Sequence, residues 1–133
     1  MPSGKPAAGA GPRVLVVDDE QEFAAALAKR LGLRGFDVEV AHDGEQALAR
    51  IRATAFDAVV LDIRMPGPDG VATLRQVRLE RPGLSVILLT GHVLVSQAIE
   101  GMRLGAFDYL TKPVDTDRLT EVLRTACGSS PTR

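Results

Sequence analysis

Residues 13–20 read Arg13-Val14-Leu15-Val16-Val17-Asp18-Asp19-Glu20. Val14 to Val17 form a short unbroken apolar run rich in β-branched side chains, the pattern of a strand covered on both faces. The acidic residues Asp18, Asp19 and Glu20 stop it at once. Phe23, Leu27 and Leu31 then recur at helical spacing with Ala24 and Ala28 beside them, and Gly32 and Gly35 close that helix. A buried strand, an acidic turn and a helix are the opening unit of an alternating α/β chain.

The unit repeats. Phe36 to Ala41 alternates apolar and acidic residues, which predicts an edge strand with one wet face; Asp43 caps a helix carrying Ala47, Leu48 and Ile51. Ala58-Val59-Val60-Leu61 is a second buried run. The turn-rich loop Met65-Pro66-Gly67-Pro68-Asp69-Gly70 leads into a helix bearing Val71, Leu74 and Val77, which Pro82-Gly83 breaks. Val86 to Leu89 is the fourth strand, followed by a helix with Val95, Ala98, Ile99 and Met102 at helical spacing. Phe107 to Leu110 is a short fifth strand, and Asp115 caps a last helix with Leu119, Val122, Leu123 and Ala126. Right-handed crossovers between such strands give a parallel sheet with helices on both faces. With the alternating second strand at one edge and the short fifth at the other, the expected fold is α/β, a flavodoxin-like doubly wound (βα)5 with a five-stranded parallel sheet of order 2-1-3-4-5.

Bulk properties bound the rest. The chain has 133 residues, one domain's worth, with 45% hydrophobic and 25% charged residues, ordinary for a soluble globular protein. Its 16 basic and 17 acidic residues give a formal net charge of -1, which offers no reason to expect direct nucleic-acid or anionic-membrane binding. The single cysteine, Cys127, excludes an internal disulfide. No apolar run approaches the ~20 residues of a membrane span. Residues 1–12 have no apolar region of a secretory signal and are expected to be a disordered tail, with the domain at 13–127, a frayed tail at 128–133, and the cytoplasm as the default compartment.

In a sheet of this order, ligands bind beyond the carboxyl ends of the strands, where the order reverses. Asp18 and Asp19 follow the first strand, Asp62 the third, Thr90 and Gly91 the fourth, and Thr111, Lys112 and Pro113 the fifth. The edge strand, ending at Ala41-His42, offers nothing comparable. Carboxylate oxygens are hard ligands suited to octahedral Mg2+. Two unit charges of like sign ~4 Å apart repel by ~4 kcal/mol at an effective dielectric of ~20, so three crowded carboxylates call for a cation. A metal there neutralises charge on an incoming phosphoryl group, Lys112 holds another of its oxygens, and Thr90 donates to a third. Asp62 is then a nucleophile able to form an acyl phosphate. Each residue alone has a plain structural explanation: helix capping for Asp18-Asp19-Glu20 and Thr90, a turn for Asp62, a solvated side chain for Lys112. Their shared position at one end of the strands is what points to a site.

Four segments carry a resemblance to a known family: Val16-Val17-Asp18-Asp19-Glu20, Leu61-Asp62-Ile63-Arg64-Met65-Pro66-Gly67, Leu89-Thr90-Gly91-His92, and Phe107-Asp108-Tyr109-Leu110-Thr111-Lys112-Pro113. As an ordered set over Arg13 to Cys127 they resemble the receiver domains of bacterial two-component response regulators. The resemblance implies that Asp62 accepts a phosphoryl group from a phosphohistidine on a sensor kinase or phosphotransfer protein. It implies Mg2+ bound directly by Asp19, Asp62 and the backbone carbonyl of Arg64, with Asp18 acting through water. Lys112 is expected to pair with the phosphoryl group and to precede Pro113 through a cis peptide bond, which costs little before proline. Thr90 is expected to move toward the phosphoryl group while Tyr109 turns inward. That switch reshapes the surface of the fourth helix, fifth strand and fifth helix, which is read by an output domain or target protein and is open to homodimerisation. Such a domain catalyses only its own phosphorylation and dephosphorylation and is not otherwise an enzyme. Pro68 stands where the family often has an apolar residue, which stiffens the loop. Arg64 and His92 occupy positions that in the family influence the lifetime of the phosphorylated state. Arg64 with Met65-Pro66, and Thr90-Gly91-His92, also resemble receivers attached to transcription activators, and the chain is either a stand-alone receiver or part of a longer regulator.

Three other readings compete. A Mg2+-dependent phosphohydrolase of the haloacid dehalogenase kind also forms an aspartyl phosphate, but its nucleophile follows the first strand with a second aspartate two residues on; here Asp62 follows the third strand and Arg64 holds that position. A flavodoxin needs a Ser/Thr/Gly-rich phosphate loop where Asp18-Asp19-Glu20 stands. A non-phosphorylated pseudo-receiver, a pure binding module, usually lacks one of the key residues, and all are present here.

Overall fold

Val14 to Val17 are fully buried, and successive residues of this run face opposite sides of one sheet. The computed structural model describes residues 11–64, 70–91 and 95–128. In these, β1 (Arg13–Val17), α1 (Gln21–Leu33), β2 (Asp37–Ala41), α2 (Gly44–Ala53), β3 (Ala58–Asp62), α3 (Gly70–Glu80), β4 (Ser85–Thr90), α4 (Val95–Arg103), β5 (Asp108–Thr111) and α5 (Thr116–Gly128) alternate along the chain. All strand pairs are parallel, and the order is β2-β1-β3-β4-β5. This is the flavodoxin-like fold that the apolar runs imply.

Two cores sit on the two faces. On one, Val14, Val16, Val60, Ile87 and Leu89 pack against Ala24, Leu27 and Leu31 of α1 and Leu119, Leu123 and Ala126 of α5. On the other, Leu15, Val17, Val59, Leu61 and Leu88 meet Ala47 and Ile51 of α2 and Leu74 and Val77 of α3. Fully burying one such large side chain contributes roughly 1.5–3 kcal/mol, so the central strands have a strong reason to stay where they are. Local signals agree with this packing. The Asp43 carboxylate accepts the N–H of Gln46 at 2.7 Å and starts α2; Asp115 accepts those of Asp117 and Arg118 and starts α5.

Several expectations are corrected. Gly32 lies inside α1; the helix closes further on, at Gly35, whose φ of +96° a glycine adopts without strain. Phe36 precedes β2 and is buried. The acidic residues of β2 are not simply wet: Arg13 bridges Asp37 at 3.2 Å and Glu39 at 2.9 Å, and Arg50 pairs with Glu39 at 2.7 Å, so the edge is covered by ion pairs. β5 begins at Asp108, leaving Phe107 outside it and partly exposed. In α4, Ala98 is buried but Ile99 and Met102 are 51% and 38% exposed. The small Gly101 lets α4 approach β4 so closely that an added methyl would overlap the Leu88 side chain. The α5 helix includes Gly128, one residue past the expected boundary. Most of the expected N-terminal tail, the loop with Met65, Pro66, Gly67, Pro68 and Asp69, and His92 lie outside the described residues. Among the described residues no helix is long and apolar enough to cross a membrane.

One glycine ties the fold to the rim beyond β3. The N–H of Gly70 donates to the carbonyl of Ile63 at 3.1 Å, and an added Cβ would fall 2.6 Å from the carbonyl oxygen of Asp62 and overlap the Ile63 backbone. Gly70→Ala should therefore destabilise the domain by about 1–3 kcal/mol. Gly83→Ala, with nothing within 4 Å of the new methyl, should change stability by less than about 0.5 kcal/mol. Urea unfolding of both variants checks this; equal midpoints would contradict it.

Candidate functional site

The sheet delivers its polar residues to one rim. Beyond β1, the N–H of Asp18 continues the pairing to the carbonyl of Ala41 at 3.0 Å. Asp62 is the last residue of β3 and Thr90 the last of β4, and the N–H of Lys112 donates to the Thr90 carbonyl at 2.9 Å just past β5. Asp18 and Thr90 are fully inaccessible and Asp62 is 5% exposed, while Asp19 is exposed. The Lys112–Pro113 peptide bond is cis.

Asp18 and Asp62 are held in the same manner. The Asp18 Oδ1 accepts the N–H of Glu20 and the Asp62 Oδ1 accepts that of Arg64, each at 2.9 Å. Their second oxygens face Lys112: its Nζ lies 2.9 Å from Asp18 Oδ2 and 3.4 Å from Asp62 Oδ2. One oxygen from each of Asp18, Asp19 and Asp62 can be chosen so that all lie within 4.8 Å of one another. This donor set fits a hard divalent cation: only oxygens, two of the three carboxylates buried, and a single ammonium against three negative charges. The Thr90 hydroxyl donates to the Gly91 carbonyl at 2.9 Å, and Tyr109, two residues before Thr111, is 39% exposed.

The electrostatics follow from this crowding. Burial pushes the Asp62 carboxyl up to about 6; the charge of Asp18 adds to that, while the Arg64 N–H and Lys112 oppose it. For Lys112, burial disfavours the ammonium, but its close contacts with the Glu20 and Asp18 carboxylates and the charges of Asp62 and Asp18 outweigh it, so its pKa rises. The proton of Lys112 is locked on, whereas that of Asp62 is near the edge of the working range. A divalent cation is the natural counter-charge for an ionised Asp62.

Three residues at the rim escape the sequence reading. Glu20 Oε1 lies 2.8 Å from Lys112 Nζ, and the Phe23 ring faces that ammonium with its centroid 4.4 Å away. His42, set aside as belonging to the edge strand, has its Nδ1 3.2 Å from the Asp18 carbonyl oxygen, and its N–H donates to Gln46 Oε1 at 2.9 Å. The signal for His42 was present: parallel pairing that sets Val17 opposite Ala41 brings the next residues, Asp18 and His42, side by side.

A doubly wound parallel sheet with an acidic cluster and a lysine at its switch-point rim defines an α/β domain of the flavodoxin-like class with its polar residues gathered at the carboxyl ends of the strands. Residues 14–124 match the response regulator receiver domain, and the chain belongs to that family. Among curated proteins, it is 40% identical over 113 residues to the transcriptional regulatory protein ZraR of Salmonella typhimurium, a match covering 85% of this chain and 26% of ZraR. It is 40% identical over 112 residues to the response regulator MprA of Mycobacterium avium, covering 84% of this chain and 49% of MprA. The chain thus spans about a quarter of the first relative and about half of the second. Among solved structures, the receiver domain of NtrX from Brucella abortus superposes with a TM-score of 0.84 at 36% identity, covering 88% of this chain and 99% of that one. A CheY-like receiver domain from Methanospirillum hungatei gives a TM-score of 0.86 at 27% identity, covering 92% and 98%.

The raised Asp62 has a consequence for stability without metal. Its folded pKa of about 6 lies above the ordinary 3.8, so the folded state holds the proton more tightly than the unfolded chain. Asp62 is therefore harmless to stability below about pH 4, and its destabilising effect grows from there to about pH 6 and is complete above. In EDTA at pH 7.5, Asp62→Asn should be more stable than wild type by on the order of 1–2 kcal/mol, after allowing for solvent screening. The gap should close toward pH 4. Thermal unfolding across this range is the check, and a variant less stable than wild type at pH 7.5 would contradict the charge assignment.

Proposed function

We propose that this receiver domain takes a phosphoryl group on Asp62 from a phosphohistidine of a sensor kinase or phosphotransfer protein, in a Mg2+-dependent reaction, and signals through a changed surface. The observation that carries the reading is the placement of Lys112 Nζ between Asp18 and Asp62, with Asp19 completing a three-carboxylate cluster at the same rim. Asp19, Asp62 and the backbone carbonyl of Arg64 would hold Mg2+ directly, and Asp18 through water. When bound, the ion supplies neutralisation of charge on the phosphoryl oxygens.

The residues of the chain do the rest. Asp62 attacks phosphorus as a carboxylate; its oxygen–phosphorus bond forms as the phosphorus–nitrogen bond of the donor breaks, and the departing imidazole takes up a proton. Lys112, with its proton secured by Glu20, Asp18 and Asp62, meets one phosphoryl oxygen as a fixed cation. The Thr90 hydroxyl meets another by giving up its bond to the Gly91 carbonyl. Its rotation vacates space beside β5 that Tyr109, now outward, fills. The α4-β5-α5 surface changes accordingly, and an output domain, a target protein or a second copy of this domain reads it. The relatives support an output partner, since most of ZraR and half of MprA lie outside the matched region. We place the domain in the cytoplasm, running from Arg13 through the end of α5, and read it as acting on no separate substrate.

Incubation with acetyl phosphate and Mg2+ should add one hydroxylamine-labile phosphate, mapped to the peptide containing Asp62 and absent from Asp62→Asn. A stable phosphoserine or phosphothreonine would sink the reading. Lys112→Ala should still fold and bind Mg2+, though with lower stability in EDTA because buried Asp18 and Asp62 lose their counter-charge, but phosphorylate weakly or fail to switch. Normal phosphorylation and switching in that variant would remove Lys112 from the site.

A further inference from the structure

The shortest contact of the Lys112 ammonium is not to the cluster it serves. Its Nζ lies 2.8 Å from Glu20 Oε1, 2.9 Å from Asp18 Oδ2 and 3.4 Å from Asp62 Oδ2, so Asp62 is the most distant of its three anions. The Phe23 ring, one turn along α1, adds a face 4.4 Å from the same nitrogen. These three acceptors differ in freedom. Asp18 is buried and tied by the Glu20 N–H; Asp62 is nearly buried and tied by the Arg64 N–H. The Glu20 side chain is 62% exposed, and its carboxylate's hydrogen-bond and ion-pair partner among the described residues is Lys112, with the charge of Arg64 acting on it more weakly. Lys112 also acts on it in return, holding the Glu20 carboxyl below its usual range.

An ammonium has three donors, and here three carboxylates occupy its surroundings. Phosphorylation turns the Asp62 carboxylate into an acyl phosphate, so a phosphoryl oxygen takes the place of Asp62, and Lys112 must shift toward it from its two closer partners, Asp18 and Glu20. Of those two, the one free to let go is Glu20. We propose that Glu20, with Phe23, is a positioning residue that parks Lys112 on the outer side of the pocket, so that phosphoryl capture at Asp62 breaks the Glu20–Lys112 pair. This rests on the phosphoacceptor reading above. Glu20 is then a brake on capture: it stabilises the empty site and must let go before Lys112 can serve the phosphoryl group.

Glu20→Gln tests it, because it keeps the side chain's size and leaves the backbone N–H to Asp18 in place while removing the charge. Two readouts are used. In EDTA, reductive methylation of Lys112, measured against the exposed Lys29 in the same chain, should increase at least about twofold once the pair is lost. With acetyl phosphate and Mg2+, the carboxylate of Asp62 takes the phosphoryl group and acetate leaves. The rate constant for that step should rise about two- to fivefold, the range that an exposed ion pair supports. Glu22→Gln is the control, since Glu22 is an exposed acid of the same first turn and has no ion pair among the described residues. An equal rise in Glu22→Gln would assign the effect to general repulsion of the anionic donor and overturn the proposal. A phosphorylation rate unchanged or lowered in Glu20→Gln overturns it alone, whatever the methylation gives. A wild-type chain that takes no phosphate overturns the functional reading, and this inference with it.

Discussion

The Lys112 ammonium set against the carboxylates of Asp18 and Asp62 is the contact on which the rim depends. The hydrophobic sheet forces it. Strands β1 and β3 are adjacent and parallel, and each is buried on both faces, so the residues that follow their apolar runs emerge side by side. The chain has no way to bury Val14 to Val17 and Ala58 to Leu61 without bringing Asp18, Asp19 and Asp62 together. The energies decide the outcome: each large core residue contributes roughly 1.5–3 kcal/mol by burial, while one like-charge pair costs ~4 kcal/mol at an effective dielectric of ~20. Among the described residues a dozen large side chains, from Leu15 to Leu123, are fully buried, so packing outweighs the repulsion, and Lys112 offsets part of it.

The remaining repulsion has a use. Asp62 is left with a carboxyl raised to about 6 by burial and by Asp18, ionised near neutrality but not comfortably so. A group in that condition gains from any cation or chemical change that removes its charge. On the proposed reading, the same residues that make the pocket uncomfortable would favour a divalent ion and a covalent partner. Lys112, whose proton is held firmly, contributes a positive charge that does not come and go with pH.

The strands and their order were legible because the signal is coarse and redundant: unbroken apolar runs for β1, β3 and β4, alternation for the edge strand β2, and Gly or Pro between units. The rim was legible for the same reason, since a parallel sheet sends every strand's last residue to one end, and Asp18, Asp62, Thr90 and Lys112 all stand there. What escaped depends on side-chain reach. Arg13 and Arg50 turn the acidic face of β2 into an ion-paired edge, which no periodicity encodes. The apolar positions of α4 read as a packing face, but close approach at Gly101 and Ala98 leaves Ile99 and Met102 partly in solvent. Glu20 and Phe23 read as helix entry and core, and only the geometry reveals that both touch Lys112.

The central claim is that Asp18, Asp19 and Asp62 act as one cation-seeking unit opposed by a single lysine. It is tested most directly by thermal unfolding of wild type and Asp62→Asn in a Mg2+ titration at fixed ionic strength. If the ion binds the assembled rim and not the unfolded chain, wild type should gain ~2.7 kcal/mol at a Mg2+ concentration ~100 times its dissociation constant, and the variant, short of one ligand, should gain clearly less at the same concentration. A wild-type melting temperature that does not move with Mg2+, or an identical rise in Asp62→Asn, would contradict a shared site.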